Sequence, residues 1–266
     1  MDLQRALTAL LLALLSGGCA APVGYSLDGP VTRALIETRP ATPAAGDIAV
    51  YRVINAYNGE VRGEIRYRVD KVESASVVVS VSASSPYLGV PPTEVYTMEG
   101  NWLRHPVVNH DRPTDYDFAP PYPAYPFPLD IGKSWSMRVN ATNPMTGQIR
   151  SVRVDGQVLG AERISTPAGT FDTIKIRRLV YAGDWEGPLR ETQILQLDWY
   201  APALGRSVRA ESNSQWMDLS RCSRSGCAVF RGDWDVLELV SHSAARISSF
   251  LPQRARTGFS ATADWK

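Results

Sequence analysis

Ser165-Thr166-Pro167-Ala168-Gly169-Thr170-Phe171 lies at the centre of the stretch that decides the fold, Phe127 to Ala210. Thr166-Pro167-Ala168-Gly169 has the chemistry of a turn: Pro brings a fixed φ that starts one, and Gly accepts the positive φ that other residues avoid. From Thr170 onward the side chains alternate, with Phe171, Thr173, Lys175 and Arg177 on one side and Asp172, Ile174 and Ile176 on the other. A period of two marks a half-buried strand. The same reading predicts strands over 134–141, 148–159, 170–182, 189–199 and 205–212, and a closing strand over 235–241.

Upstream, 48–56 and 61–72 read as strands joined through Tyr57-Asn58-Gly59, since Asn-Gly is a strong hairpin signal. Further strands are expected over 76–82 and 93–98, followed by Trp102-Leu103-Arg104. An internal echo supports two similar halves. Gly46-Asp47 with Tyr51-Arg52-Val53 resembles Gly132-Lys133 with Met137-Arg138-Val139, and Arg68-Val69-Asp70 resembles Arg153-Val154-Asp155. The expected fold is therefore all-β: a curved antiparallel sheet, or an open β-barrel or sandwich, in two β-rich halves. The chain divides into a signal peptide (1–19), a linker (20–45), a first half (46–105), a Pro/Tyr-rich linker (106–128), a second half (129–243) and a polar tail (244–266).

The N-terminus reads as an address. Arg5 precedes an apolar run from Ala6 to Leu15, and Ser16-Gly17-Gly18 leads to Cys19. The run is too short to span a bilayer, which takes about 20 residues. A small residue followed by Cys at this place resembles the bacterial lipobox, with Ser16 where Leu is usual. The resemblance implies acylation at Cys19 and, because Ala20 rather than Asp follows, an outer-membrane location on the periplasmic side.

Net charge is +1, from 28 basic and 27 acidic residues, so nothing electrostatic argues for nucleic acid. Of the three cysteines, Cys222 and Cys227 remain, with four residues between them in a polar loop. An oxidising compartment favours a disulfide there; no further ligand is near for a metal, and the spacing is not that of a redox CxxC pair.

The motifs Phe127-Pro128-Leu129, Gly132-Lys133-Ser134-Trp135, Thr166-Pro167-Ala168-Gly169-Thr170-Phe171, Trp199-Tyr200-Ala201-Pro202 with Gly205-Arg206, and Glu238-Leu239-Val240 follow in that order. In this the second half resembles the uncharacterised periplasmic proteins grouped as DUF3108 and TapB-like domains. That resemblance implies a curved antiparallel sheet or open barrel, and brings no catalytic residues with it.

No Gly-x-Ser-x-Gly elbow occurs. His105, His110 and Asp111 share a Pro-rich loop that lacks the fixed geometry of a helical metal motif, and His242 stands apart. The acid pairs Asp184 with Glu186 and Asp233 with Asp235 read as charged turn tips, and Tyr116, Phe118, Tyr122, Tyr125 and Phe127 as aromatics lying over a core. No catalytic residue, metal or cofactor is expected, and no ligand-binding residue can be named. The expected role is a non-enzymatic binding or envelope-assembly lipoprotein, with a membrane and an envelope protein or lipid as partners. A periplasmic carrier of lipid or another apolar ligand is the second reading, and an envelope hydrolase the third.

Overall fold

In the computed structural model, residues 42–107, 115–183, 190–224 and 226–245 are described. Twelve strands among them are β1 (Ile48–Asn55), β2 (Val61–Val72), β3 (Ser76–Ala83), β4 (Thr93–Thr97), β5 (Trp102–His105), β6 (Tyr116–Tyr122), β7 (Ser134–Thr142), β8 (Ile149–Thr166), β9 (Gly169–Gly183), β10 (Arg190–Ala201), β11 (Arg206–Ser223) and β12 (Gly226–Ser243). Each is antiparallel to the next, and β12 returns to pair with β1, so the sheet is a closed barrel. The all-β expectation holds. The barrel is closed rather than open, and the two β-rich stretches are consecutive arcs of one sheet.

Local chemistry explains the elements. In β9, Ile174, Ile176, Arg178, Val180 and Ala182 are buried, while Lys175, Arg177, Leu179 and Tyr181 are more exposed. Pairing carries the inward phase around the sheet: Ile176 faces Val158 and Asp198, and Val180 faces Val154 and Ile194. Two strands end where Thr166 pairs with Gly169, which adopts φ 135°, a conformation that side-chain-bearing residues rarely take. The turn does not project freely. The amide of Ala168 donates to the carbonyl of Leu239 in β12, at 3.2 Å. The β11–β12 ladder starts at Arg209 opposite Glu238, so the carbonyl one residue beyond is capped by the β8–β9 turn.

Two sequence expectations need correction. Segment 106–128, read as a linker, supplies β6. Pro120 and Pro121 lack amide donors, yet Asp117, Phe118 and Ala119 pair with Thr142, Ala141 and Asn140, and Tyr122 pairs with Trp102. The cysteines also do not sit in a loop between separate strands. They face each other near the tip of the β11–β12 hairpin, bonded, with Cα atoms 3.8 Å apart. Both strands run on well beyond the part of β12 predicted from sequence.

The interior is filled unevenly. Val139, Val152, Val154, Val180 and Ile194 pack with Phe118 and Tyr122 beneath β6–β10. Between β6 and β7 the chain turns inward, and Leu129 packs on Val158, Ile174, Ile176 and Tyr200, with Phe127 alongside. Lys133 anchors this inward segment, its Nζ donating to the carbonyls of Pro126 and Pro128. Under β1–β4 the inward residues are shorter: Val53, Ile65, Val69, Val77, Val79 and Val81. The inward segment fills one side of the barrel and leaves the valine-lined side unfilled.

Candidate functional site

A cavity of about 280 Å³ lies on that unfilled side. Its apolar lining comes from Ile65, Val69, Val77, Val79 and Leu237, and its polar lining includes Arg178, Gln196, Asp198, Arg206 and Ser207. Pro43, Gly100 and Gly205 also line it. They belong to the approach to β1 and to the β4–β5 and β10–β11 turns, which in an up-and-down barrel share one end. The cavity thus borders the end of the barrel where the chain enters from its N-terminal side, and Val90, Pro91 and Pro106, from the β3–β4 and β5–β6 connections at the other end, line it as well.

Arg178 organises the polar lining. Its Nε donates to Gln196 Oε1 at 3.0 Å, its Nη1 to the carbonyl of Ala124 at 3.0 Å, and its Nη2 to Asp198 Oδ2. Tyr122 donates its hydroxyl to the same Gln196 oxygen at 2.8 Å, and Ser207 Oγ donates to Asp198 Oδ1 at 3.0 Å. Burial pulls the guanidinium toward losing its proton, but the Asp198 charge, the Tyr122 and Tyr125 phenols and the hydrogen bond to Asp198 together outweigh it and hold Arg178 above its ordinary value. Burial pushes the Tyr122 phenol up to about 12 against the opposing charge of Arg178. The pair is neutral overall and its hydrogen bonds are made, which a buried ion pair requires.

Glu94 is the second buried charge, with 2% of its surface exposed. Tyr96 donates its hydroxyl to Oε2, and His105 Nε2 stands 3.6 Å from Oε1. His105 Nδ1 lies 2.6 Å from the carbonyl of Pro106, which only accepts, so Nδ1 carries a hydrogen. Trp102 is sandwiched between His105 and Tyr122, with ring centroids 3.8 and 4.0 Å away. Burial, and then the Glu94 charge, raise the phenols of Tyr67 and Tyr96 well above the ordinary tyrosine value.

Arg206 also lines the cavity, as do the carboxylates of Glu99 and Glu211. Its Nη1 is enclosed and has no hydrogen-bond partner among the described residues, and no carboxylate there lies within ion-pair distance of it. Beside it, Tyr51 donates its hydroxyl to the carbonyl of Ser207 at 2.6 Å. Burial raises the Tyr51 phenol, opposed by the positive charge of Arg206.

Of the residues singled out from sequence, Cys19, His110, Asp111, Asp184 and Glu186 lie outside the described residues. His105 belongs to the Glu94 cluster. His242 sits near the end of β12, its pKa lowered by burial and by Arg206. Asp233 and Asp235 are not turn tips, as sequence suggested, but mid-strand in β12, where Arg62 Nη1 lies 3.6 and 3.2 Å from them. Phe118 and Tyr122 pack in the core, and Tyr125 borders the cavity. Among the described residues no three His, Cys, Asp or Glu side chains are grouped for a metal. Sequence reading missed Arg178, Asp198, Glu94 and Arg206; the available signal was a charge in phase with inward apolar residues, as Arg178 is with Ile174 and Ile176.

The chain matches no protein-family model and no curated protein, so the DUF3108 and TapB-like grouping remains a resemblance. Among solved structures it is similar to a protein from Bacteroides fragilis described as exported and YmcC-like in fold, at 15% identity over 77% of this chain and 99% of that one, with a TM-score of 0.47. It is similar also to a protein from Parabacteroides distasonis described as a lipoprotein, at 15% identity over 77% and 99% of the two chains, with a TM-score of 0.42. A third, YmcC of Escherichia coli, likewise described as a lipoprotein, shares 10% identity over 76% and 87%, with a TM-score of 0.40. All three scores are too low for the likeness to carry an argument about function.

Proposed function

We propose that this chain is a lipid-anchored protein of the bacterial cell envelope, tethered through Cys19 on the periplasmic side of the outer membrane, whose barrel binds an apolar ligand without transforming it. The observation that carries the binding role is the cavity of about 280 Å³, lined in part by Ile65, Val69, Val77 and Val79. Its volume is close to the small end of the range for small-molecule sites, about 300–1,000 Å³. Concave, mostly apolar space with a few polar groups is what such sites share. The anchor rests on the Arg5 to Cys19 pattern, and the sorting on Ala20. Acylation there would tether the chain through the segment that leads into β1, beside the cavity-lining Pro43.

Protein purified from membranes under mild conditions tests the binding role by native mass spectrometry and organic extraction. An apolar molecule present at near-stoichiometric amount is the expected result. Protein that carries none, and that takes up no fluorescent fatty acid, removes the role. Palmitate labelling lost in Cys19→Ala and precursor accumulation under globomycin test the anchor separately.

A further inference from the structure

Arg178 and Arg206 line the cavity together with the carboxylates of Glu94, Glu99, Asp198 and Glu211, and of these six only Arg206 keeps an enclosed polar atom without a hydrogen-bond partner among the described residues. Arg178 is matched by Asp198 and satisfied further by Gln196 and the Ala124 carbonyl. Glu94 is held by the Tyr96 hydroxyl and faces His105. Arg206 has no carboxylate within ion-pair distance among the described residues, and its enclosed Nη1 has no acceptor there. A buried guanidinium donor without an acceptor costs free energy, and an anion at that point removes the cost.

Position adds the second half of the inference. Arg206 opens β11 and follows directly on the β10–β11 turn, so it stands at the end of the cavity that Pro43, Gly100 and Gly205 line. Ile65, Val69, Val77 and Val79 of β2 and β3 supply the apolar lining. A charged donor at one end of a cavity with hydrocarbon along it matches the two parts of an amphiphile. A volume of about 280 Å³ leaves room for a slender occupant, one chain rather than two.

Resting on the binding role proposed above, we infer that the ligand is a single-chain anionic amphiphile whose carboxylate or phosphate is held by the Arg206 guanidinium at the end of the cavity where β11 begins. Two oxygens of either head match the planar fork of a guanidinium in a way that a hydroxyl or a quaternary ammonium does not. The hydroxyl of Tyr51 already donates to the Ser207 carbonyl, so Arg206 is the donor that selects the head.

The experiment uses the full chain, delipidated, with four twelve-carbon probes below their micellar concentrations: laurate, dodecyl phosphate, dodecanol and dodecyltrimethylammonium. Titration calorimetry is expected to show laurate or dodecyl phosphate binding at least about tenfold tighter than dodecanol, with the ammonium weakest. The stronger of the two acids distinguishes a fatty acid from a phosphate lipid as the source. Arg206→Gln should reduce affinity for the acids about tenfold and leave dodecanol unchanged, and Arg206→Lys should restore part of the loss. Unchanged circular dichroism and melting temperature in the variants establish that they fold. Equal affinity for laurate and dodecanol, or acid binding indifferent to Arg206→Gln, overturns the assignment of the head while the apolar-ligand role stands. Preference for the ammonium probe overturns it in favour of Glu94. Failure of all four probes to bind overturns the binding role itself.

Discussion

Arg178 and Asp198 meet across neighbouring strands inside the barrel, guanidinium on carboxylate, with side chains only 4% and 6% exposed. Ions so placed give little net stability together, because each loses its hydration, but a large penalty follows when one is left alone.

Arg178→Ala or Asp198→Ala is therefore expected to destabilise the barrel by about 3–5 kcal/mol. Arg178→Met combined with Asp198→Leu should cost less than either single change. Denaturant midpoints of the three variants check this. Additive losses in the double variant would show that the two side chains act independently.

Gly156 carries a packing prediction. It pairs with Trp135, and a Cβ at residue 156 would sit 2.1 Å from two indole ring atoms. Gly156→Ala should cost about 1–3 kcal/mol through overpacking. Trp135→Ala made in that background should add less than it does alone, since removing the indole also relieves the clash. Urea unfolding of the four proteins in the cycle measures the coupling.

Asp235 carries a pH prediction. Burial, opposed by Arg62 and reinforced by Asp233, pushes its carboxyl from 3.8 up to about 6. A folded-state pKa above the unfolded one means that the native protein holds the proton more tightly. The associated stability is full below about pH 4 and is lost as pH rises through about 6. The loss is on the order of 2–3 kcal/mol. Asp235→Asn should remove this component, so the stability of wild type minus variant should fall between pH 4 and 6.5. A difference that stays flat across that window would contradict the raised pKa.

The disulfide is expected to matter modestly. Cys222 and Cys227 are five residues apart and already paired across the hairpin, and so short a closed loop contributes about 2 kcal/mol. Cys222→Ser with Cys227→Ser should keep the barrel and lower its melting temperature by less than about 8 °C. Trypsin should cut faster at Arg221, in the exposed end of β11. Free thiols in protein isolated from the envelope would remove the premise, and global unfolding of the double variant would refute the energetics.

What could be read from the sequence followed how local the signal was. The bounds of β2 were legible because an Asn-Gly turn precedes Val61 and the chain then runs to Val72 without a breaker. The β8–β9 turn was legible for the same reason, through Pro167 and Gly169. Most of the distal hairpin was not. From Gln215 to Arg231 many residues are exposed or only half-buried, so hydropathy has no clear period there, and only the core-packed end of β12 was recognised. Barrel closure was illegible because nothing local in Tyr51 or Val53 specifies Leu239 and Leu237 as neighbours. The site was hidden by its own chemistry: Arg178, Asp198 and Glu94 look like surface charges until pairing puts them in phase with Ile176, Tyr200 and Val79.

The seam between β1 and β12 also governs how the molecule can be made. Until Gly226–Ser243 has been synthesised, the open edge of Ile48–Asn55 has no partner, and neither has the outer edge of β11. A nascent or truncated chain therefore carries two adhesive borders at once, the arrangement most prone to joining another copy. Premature stop codons before the last strand should give insoluble or degraded product rather than a smaller working protein. Conversely, Ala245 donates its amide to Asp47 Oδ1 at 2.7 Å, so the two ends of the described barrel lie side by side. A short peptide bridge could join them, and new termini cut at the Asn58-Gly59 turn should yield a rearranged chain that still closes.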